Sequence, residues 1–178
     1  MPQAVTHILV ALILVELFRD YFIKDKKKFP LHYVLIAGIA GLLPDIDIIA
    51  YWLLYFFGFS LDEVHRTFTH TLFFPLLFLV LALITTKVKA GITSKHHLKL
   101  NIVFIMIAIG SFIHLILDSI FAGTIMPFYP FSYSSFGLNL VSLLPETLAN
   151  LAMPSLDAAI LVLWLIHEEY KHKISRFY

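Results

Sequence analysis

The 178 residues contain no cysteine. Disulfides and thiolate metal ligands are excluded, so any bound metal must be held by His, Asp or Glu. Charge is scarce: Asp, Glu, Lys and Arg make up 14% of the chain, and the formal net charge is +1. Such a chain lacks the basic face that nucleic-acid binding needs, and no nucleic-acid partner is expected. The N-terminal stretch MPQAVTHILVALILVELF has neither the basic n-region nor the small-residue cleavage site of a signal peptide. It is expected to be a first membrane span that is retained. Internal repeats and low-complexity tracts are also missing.

What is abundant is apolar surface. Hydrophobic residues make up 60% of the chain and the mean hydropathy is +0.86, whereas soluble domains run at about 45–50% apolar. The expected fold is all-α: a polytopic helical bundle in the plasma (inner) membrane, one domain over residues 1–178, with about five spans. Span one is Pro2–Phe22. Leu31–Phe59 is interrupted by Pro44 in LLPDIDII. Each half, at ~13 residues and 1.5 Å rise, reaches only ~20 Å. The stretch therefore reads as one Pro-broken span, or as a span followed by an interfacial helix along Ile48–Phe59. A polar turn, Phe59–Thr69, holds Asp62, Glu63, His65 and Arg66. Span three is His70–Thr86 and span four Asn101–Phe121. A connection rich in proline, serine and aromatics, Ala122–Asn150, precedes span five at Leu151–His167.

Lysine and arginine orient this bundle. Five spans with the N-terminus outside put Arg19–Lys28, Lys87–Lys99 and the tail in the cytoplasm. Those segments hold 12 of the 13 basic residues, all but Arg66, as the positive-inside rule asks. Phe128, Tyr129, Phe131 and Tyr133 then form an aromatic belt at the outer interface.

This orientation groups the polar residues by depth. His114 and Asp118 lie four apart in the apolar run GSFIHLILD. On a helix their Cβ atoms are roughly 5–6 Å apart on one face. An aspartate at a bilayer centre costs ~2.5–3.5 kcal/mol on insertion scales, so such a pair has a use. His7 lies near the outer end of span one. Asp45 and Asp47 fall ~21–24 Å from the inner face at helical rise. His65 and His70 flank the outer turn. Four histidines and three aspartates thus converge toward the outer leaflet. His32, His96, His97, His167 and His172 fall at cytoplasmic ends and read as ordinary interfacial residues.

The mixture His7, Asp45, Asp47, His65, His70, His114 and Asp118 suits a divalent metal, Zn²⁺ or a similar first-row ion. Seven candidates exceed one tetrahedral ion and suit two, bridged by a carboxylate at ~3.5–4 Å. Asp45 and Asp47, two apart, do not point the same way on a helix or strand unless Pro44 bends the backbone. His65 and His70, five apart, lie ~140° apart on a helix, so the turn must place one of them separately. Thr69 is a candidate N-cap for span three. Each piece alone has a plainer reading: a hydrogen-bonded core histidine for His7, a proton relay or interhelical pair for His114 with Asp118, capping carboxylates for PDID, a solvated charge for Arg66. Asp157 lies at a depth that could reach the site but reads first as a helix N-terminal cap, and Glu146 reads as part of an outer turn, with contact to the site as its alternative.

THILVA, LLPDID, HRTFTHT and SFIHLILDSIFAGTIMPFYPF, in this order and spacing, resemble the inner-membrane predicted metal-dependent hydrolases of the YdjM type, described as LexA-regulated in some bacteria. The resemblance covers His7 to about Pro130. It implies similarity to the zinc-dependent phospholipase C and nuclease group, where an N-terminal His, an Asp, a His and a helical His-x-x-x-Asp bind clustered zinc. Those positions fall on His7, Asp45 or Asp47, His65 or His70, His114 and Asp118. The later His-x-x-x-Glu pair of that group is not matched here, since the tail reads His167-Glu-Glu-Tyr-Lys.

The expected function is hydrolysis of a phosphoester in a lipid or lipid-linked substrate, by metal-activated water, at a site facing the extracytoplasmic side. Membrane lipid is the expected partner. Arg66 would meet the phosphate, and Asp45 or Asp47, whichever is not a ligand, would serve as general base. Two rival readings use the same residues: a metal or proton transporter, and a non-catalytic membrane protein with a structural metal. Transporters are often built from paired repeats, and none is visible.

Overall fold

Proline, glycine and charge punctuate an otherwise apolar chain, and the helices follow that punctuation. The computed structural model describes residues 4–87 and 98–177; the side chains of residues 62, 63, 122, 176 and 177 are not described. Lys89, Lys95, His96 and His97, read above as cytoplasmic, lie outside the described residues. All extended structure in the described residues is helical, apart from one isolated bridge between Ile125 and Phe136. The helices are α1 (Ala4–Phe22), α2 (Leu31–Ala40), α3 (Asp47–Leu54), α4 (Leu61–Val64), α5 (Phe73–Ile84), α6 (Leu100–Leu117) and α7 (Glu146–His172). The all-α expectation is met.

Among the described residues, two helices are long and apolar enough to cross a membrane: α7, and α6 with its continuation to Phe121. They become three if α2 and Pro44–Phe57, bent by 50°, form one broken span. Five crossings would also need α1, which carries Glu16, Arg19 and Asp20 in its last two turns, and the shorter Phe73–Lys87. The Pro-broken element is present as expected. Gly41 ends α2, Pro44–Ile46 forms one 3₁₀ turn, and α3 leaves in a new direction.

Helix α6 is the central element. It packs on α2 and α5, and less extensively on α1, while α7 joins the bundle through α1. A small apolar core of Val15, Phe29, Tyr33, Val34, Ala37 and Met106 fills the end away from His7. Lipid offers no hydrophobic drive between helices, so close backbone approach must hold them. Glycine supplies it. A Cβ on Gly110 would lie 2.3 Å from the Ala37 carbonyl oxygen, and one on Gly41 would lie 2.5 Å from the His7 carbonyl oxygen. Helices α1, α2 and α6 therefore meet almost backbone to backbone, one turn before His114.

Burial is inverted relative to a soluble protein. His7, His70, His114 and Asp118 are at most 1% exposed, while Leu83, Ile84, Trp52 and Phe56 are at least 67% exposed. Ionisable groups inside and large apolar groups outside are what a bilayer solvent demands.

Several local expectations change. The helix expected as span three begins at Phe73, not His70, with Leu72 at the N-cap and no side-chain cap. Thr69 does not cap it: its hydroxyl donates to Asp47. Span five begins at Glu146, inside the first turn rather than in an outer loop. Asp157 accordingly lies mid-helix, buried, and accepts a hydrogen bond from Thr6 of α1 instead of capping.

Candidate metal centre

Five segments contribute to one buried cluster. His7 comes from the second turn of α1. Asp45 comes from the 3₁₀ turn, and Asp47 opens α3. His65, Arg66 and His70 come from the turn between α4 and α5. His114 and Asp118 lie one helical turn apart at the end of α6, where the chain passes into a single π turn, Asp118–Ala122. Arg66 adopts the left-handed conformation at φ 63°, which folds this turn back over the cluster.

The rings of His70 and His114 define the middle. Their Nε2 atoms are 3.1 Å apart. His114 Nδ1 donates to the Gly41 carbonyl at 2.7 Å, so its Nε2 carries a bare lone pair. His70 Nδ1 lies 3.1 Å from Asp47 Oδ2, the contact that fixes the same tautomer there. Two lone pairs cannot face one another across 3.1 Å unless a proton or a cation lies between them. Carboxylates close on the same point. Asp45 Oδ1 is 3.4 Å from His70 Nε2 and 3.5 Å from His114 Nε2. Asp118 Oδ2 is 3.5 Å and 3.7 Å from those two nitrogens. Both oxygens are buried and make no hydrogen bond among the described residues.

Flanking rings extend the cluster on two sides. His7 stacks on His114 at 3.9 Å between ring centroids, and its Nε2 is 3.5 Å from Asp118 Oδ1. His65 meets His70 edge-on, with a buried Nε2 that has no hydrogen-bond partner. Three overlapping sets have ligand atoms within 4.8 Å of one another: His7, Asp45 and His114; Asp45, His65 and His70; His70, His114 and Asp118. Asp45 belongs to two of them. The set, imidazole lone pairs of His65, His70 and His114 converging with two carboxylates, fits a divalent cation.

Asp45 and Asp47 do diverge, as their spacing predicts, but they address the same ring from opposite edges. Asp45 faces Nε2 of His70 and Asp47 faces Nδ1. Both oxygens of Asp47 are already engaged. Oδ1 accepts from His65 Nδ1 at 2.9 Å. Oδ2 accepts from the Arg66 backbone N–H at 3.1 Å and the Thr69 hydroxyl at 2.8 Å. One carboxylate thus steers two imidazoles. The Arg66 guanidinium lies 3.7 Å from Asp118 Oδ2 at the rim. His70 sits in the turn before α5. Burial pushes its pKa down, but the Asp45 and Asp47 carboxylates outweigh burial and raise it above the ordinary 6.5.

All seven candidate ligands come together here, with Arg66 beside them. Sequence reasoning missed Thr69 as a partner of Asp47, the Gly41 carbonyl as a partner of His114, and the buried pair of Thr6 and Asp157 next to His7. Only the position of Thr6 and Thr69, each directly before a candidate histidine, offered a signal.

A family model described as YdjM inner membrane protein matches residues 1–174, and the chain belongs to that family. No curated protein and no solved structure matches the chain, and the implied likeness to the zinc-dependent phospholipase C group finds no support in these comparisons.

Proposed function

We propose that this member of the YdjM inner membrane protein family is a membrane-embedded, metal-dependent hydrolase acting on a phosphoester of a lipid or lipid-linked molecule. The observation that carries the reading is the pair of His70 and His114 Nε2 atoms facing each other at 3.1 Å between two carboxylate oxygens that make no hydrogen bond among the described residues. His7, Asp45, His65, His70, His114 and Asp118 would hold one or two divalent ions, zinc by donor type, with Asp45 bridging the two flanks. Such ions supply Lewis acidity and lower the pKa of water toward neutrality.

The protein's own groups prepare that chemistry. Asp47 orients His65 and His70, and the Gly41 carbonyl holds the Nδ1 proton of His114, so these three rings turn a lone pair inward. Asp47 is thereby a positioning residue rather than a base, because neither of its oxygens is open. Arg66 has the planar fork that pairs with a phosphate, and its place at the rim suits a headgroup approaching from outside.

The extracytoplasmic orientation of a multi-pass chain rests on the basic residues. Arg19 follows His7 by twelve residues of α1, ~18 Å at helical rise, and Lys99 precedes His114 by fifteen, ~22 Å. The cluster and the basic segments thus occupy opposite ends of the bundle, as the positive-inside rule requires for an outward-facing site. The exposed apolar flanks favour a substrate delivered laterally by the bilayer.

The test is turnover of phospholipids by the purified protein, before and after chelation and zinc return. Activity lost on chelation, restored by zinc and lost in His114→Ala is the expected result. Turnover indifferent to both treatments would sink the reading.

A further inference from the structure

At the other end of α1 a second group of metal-type donors faces α7. Glu16 and Asp20, four apart, share one face of α1; Glu168 and His172, four apart, share one face of α7, with His167 beside them. The two faces meet. Asp20 Oδ2 lies 3.0 Å from His172 Nε2 and 3.8 Å from His167 Nε2. Glu168 Oε1 lies 3.9 Å from His172 Nε2. Two overlapping triads, Asp20–His167–His172 and Glu16–Glu168–His172, each have donor atoms within 4.8 Å of one another.

The carboxylates are held from behind, as ligands are in built sites. Asp20 Oδ1 accepts from Lys26 at 2.7 Å and from Arg19 at 3.2 Å, leaving Oδ2 to face the histidines. The Trp164 indole N–H donates to Glu16 Oε2 at 2.9 Å. In front, the donors run out. His167 Nε2 and Glu168 Oε1 are buried without a hydrogen bond among the described residues. Three carboxylates, those of Asp20, Glu168 and the 4%-exposed Glu16, share this space with two imidazoles. Like charges so close in a helix seam need a proton or a cation between them.

We propose that Glu16, Asp20, His167, Glu168 and His172 form a second metal site, for a borderline first-row dication such as Zn²⁺, which fastens α7 to α1. Mixed imidazole and carboxylate donors select that class over Mg²⁺ or Ca²⁺. Asp20 contributes through Oδ2 and His172 through Nε2, the atom common to both triads. The fastening role follows from packing. Helix α7 contacts the bundle chiefly through α1, and three polar ties bind it there: Thr6 to Asp157, Glu16 to Trp164, and Asp20 to His172. The last tie becomes a chelate when the ion is bound. The site opens to solvent at its histidines, with the His167 and His172 side chains 19% and 28% accessible, so its ion exchanges with water at the end bearing the basic segments.

This proposal does not depend on the activity or ion content of the outer centre. Metal-stripped protein in detergent is titrated with Zn²⁺ by calorimetry, and with Co²⁺ by visible absorption. Three chains are compared: the natural sequence, His114→Ala, and Glu168→Gln with His172→Gln. The natural protein should bind one equivalent more than the Glu168→Gln/His172→Gln protein, whose outer centre is intact. His114→Ala should retain the lower equivalent, and Zn²⁺ should raise its melting temperature. Equal stoichiometry in the natural and Glu168→Gln/His172→Gln proteins would overturn the proposal and leave a shared proton between Glu16 and Glu168. If the double variant fails to elute as a monodisperse species, His167→Gln is the substitute, with at least tenfold weaker Zn²⁺ binding expected and unchanged affinity overturning it.

Discussion

Helix α1 carries His7 at one end and Asp20 at the other, ~20 Å apart at helical rise, and each sits in a cluster of histidines and carboxylates. The clusters use the same donor types but are built in different ways. The outer one draws on five separate segments around the fully buried His70 and His114, and opens to solvent at Asp45, whose side chain is 24% accessible. The lower one draws on two helices at i,i+4 spacing and opens to solvent at its two histidines. Basic groups are also distributed differently. Lys26 and Arg19 grip one oxygen of Asp20 in the lower cluster. In the outer one, the Asp45 and Asp118 oxygens that face bare imidazole nitrogens make no hydrogen bond among the described residues, and Arg66 pairs with Asp118 only at 3.7 Å from the rim. A centre tied together from many segments is rigid and suits chemistry; a two-helix clasp is separable and suits fastening.

The largest effect that would break this comparison is removal of the outer donors. His114→Ala with Asp118→Asn should abolish ion binding at the outer centre, at least ~100-fold in affinity, since even outer-shell partners are worth 10–100-fold. Elemental analysis should find the lower equivalent still bound. Loss of both equivalents together would make the two clusters one cooperative unit.

Next comes Gly110→Ala. Its Cβ would fall 2.3 Å from the Ala37 carbonyl oxygen, 2.8 Å from the Ala40 Cβ and 2.9 Å from the Gly41 nitrogen. Backbone cannot yield as a flexible side chain does, so α6 must move off α2. The expected cost is about 1–3 kcal/mol, the range of overpacked cores. The same movement pulls His114 from the Gly41 carbonyl, so outer affinity should fall while the α1–α7 seam is unchanged. A thermal melt with a parallel zinc titration reads both effects.

The outer cluster was legible because its residues are out of place. A histidine and an aspartate four apart in the apolar run of α6, and PDID in a broken span, have few uses in lipid. Depth, inferred from the basic loops, then drew His7, His65 and His70 to the same level. The lower cluster was not legible for the opposite reason: Glu16, Asp20, His167 and His172 stand near helix ends, where polar residues are ordinary. The extent of α7 was obscured as well. Residues up to Asn150 read as a connection rich in proline, serine and aromatics, yet the helix starts at Glu146 and runs on through Pro154; in membrane proteins neighbouring groups compensate for the missing N–H. Asp157 therefore sits eleven residues into a helix instead of at its start. Thr69 failed for a different cause. Capping propensity is local, and the partner that claimed its hydroxyl, Asp47, lies 22 residues earlier.

Thr69→Val sharpens the contrast on a smaller scale. It keeps the shape but removes the donor to Asp47 Oδ2. With one hydrogen bond fewer, Asp47 orients His65 and His70 less firmly. About tenfold weaker outer zinc binding is expected, the low end for an outer-shell partner, with no change at the lower site. Unchanged outer affinity would mean that the His65 and Arg66 contacts suffice to hold Asp47.

The smallest effect is that of pH on the metal-free protein, and it follows from what lies between His70 and His114. Without an ion, a proton on His70 fills that place: Nε2–H then donates to His114 Nε2, and Nδ1–H to Asp47. Burial opposes this charge, but Asp45 and Asp47 outweigh burial, so the folded pKa lies above the ordinary 6.5. A raised folded pKa means the folded state holds the proton more tightly than the unfolded chain does. The stabilisation is therefore complete below about 6.5 and disappears as pH rises through the folded value. Metal-stripped protein should lose melting temperature across that window, and His70→Gln should flatten the loss. Zinc reverses the slope, because the ion must displace the same proton: apparent affinity at the outer centre rises with pH where the stability of the empty protein falls. If stripped protein gained stability with pH through that window, the proton would not be standing in for the ion.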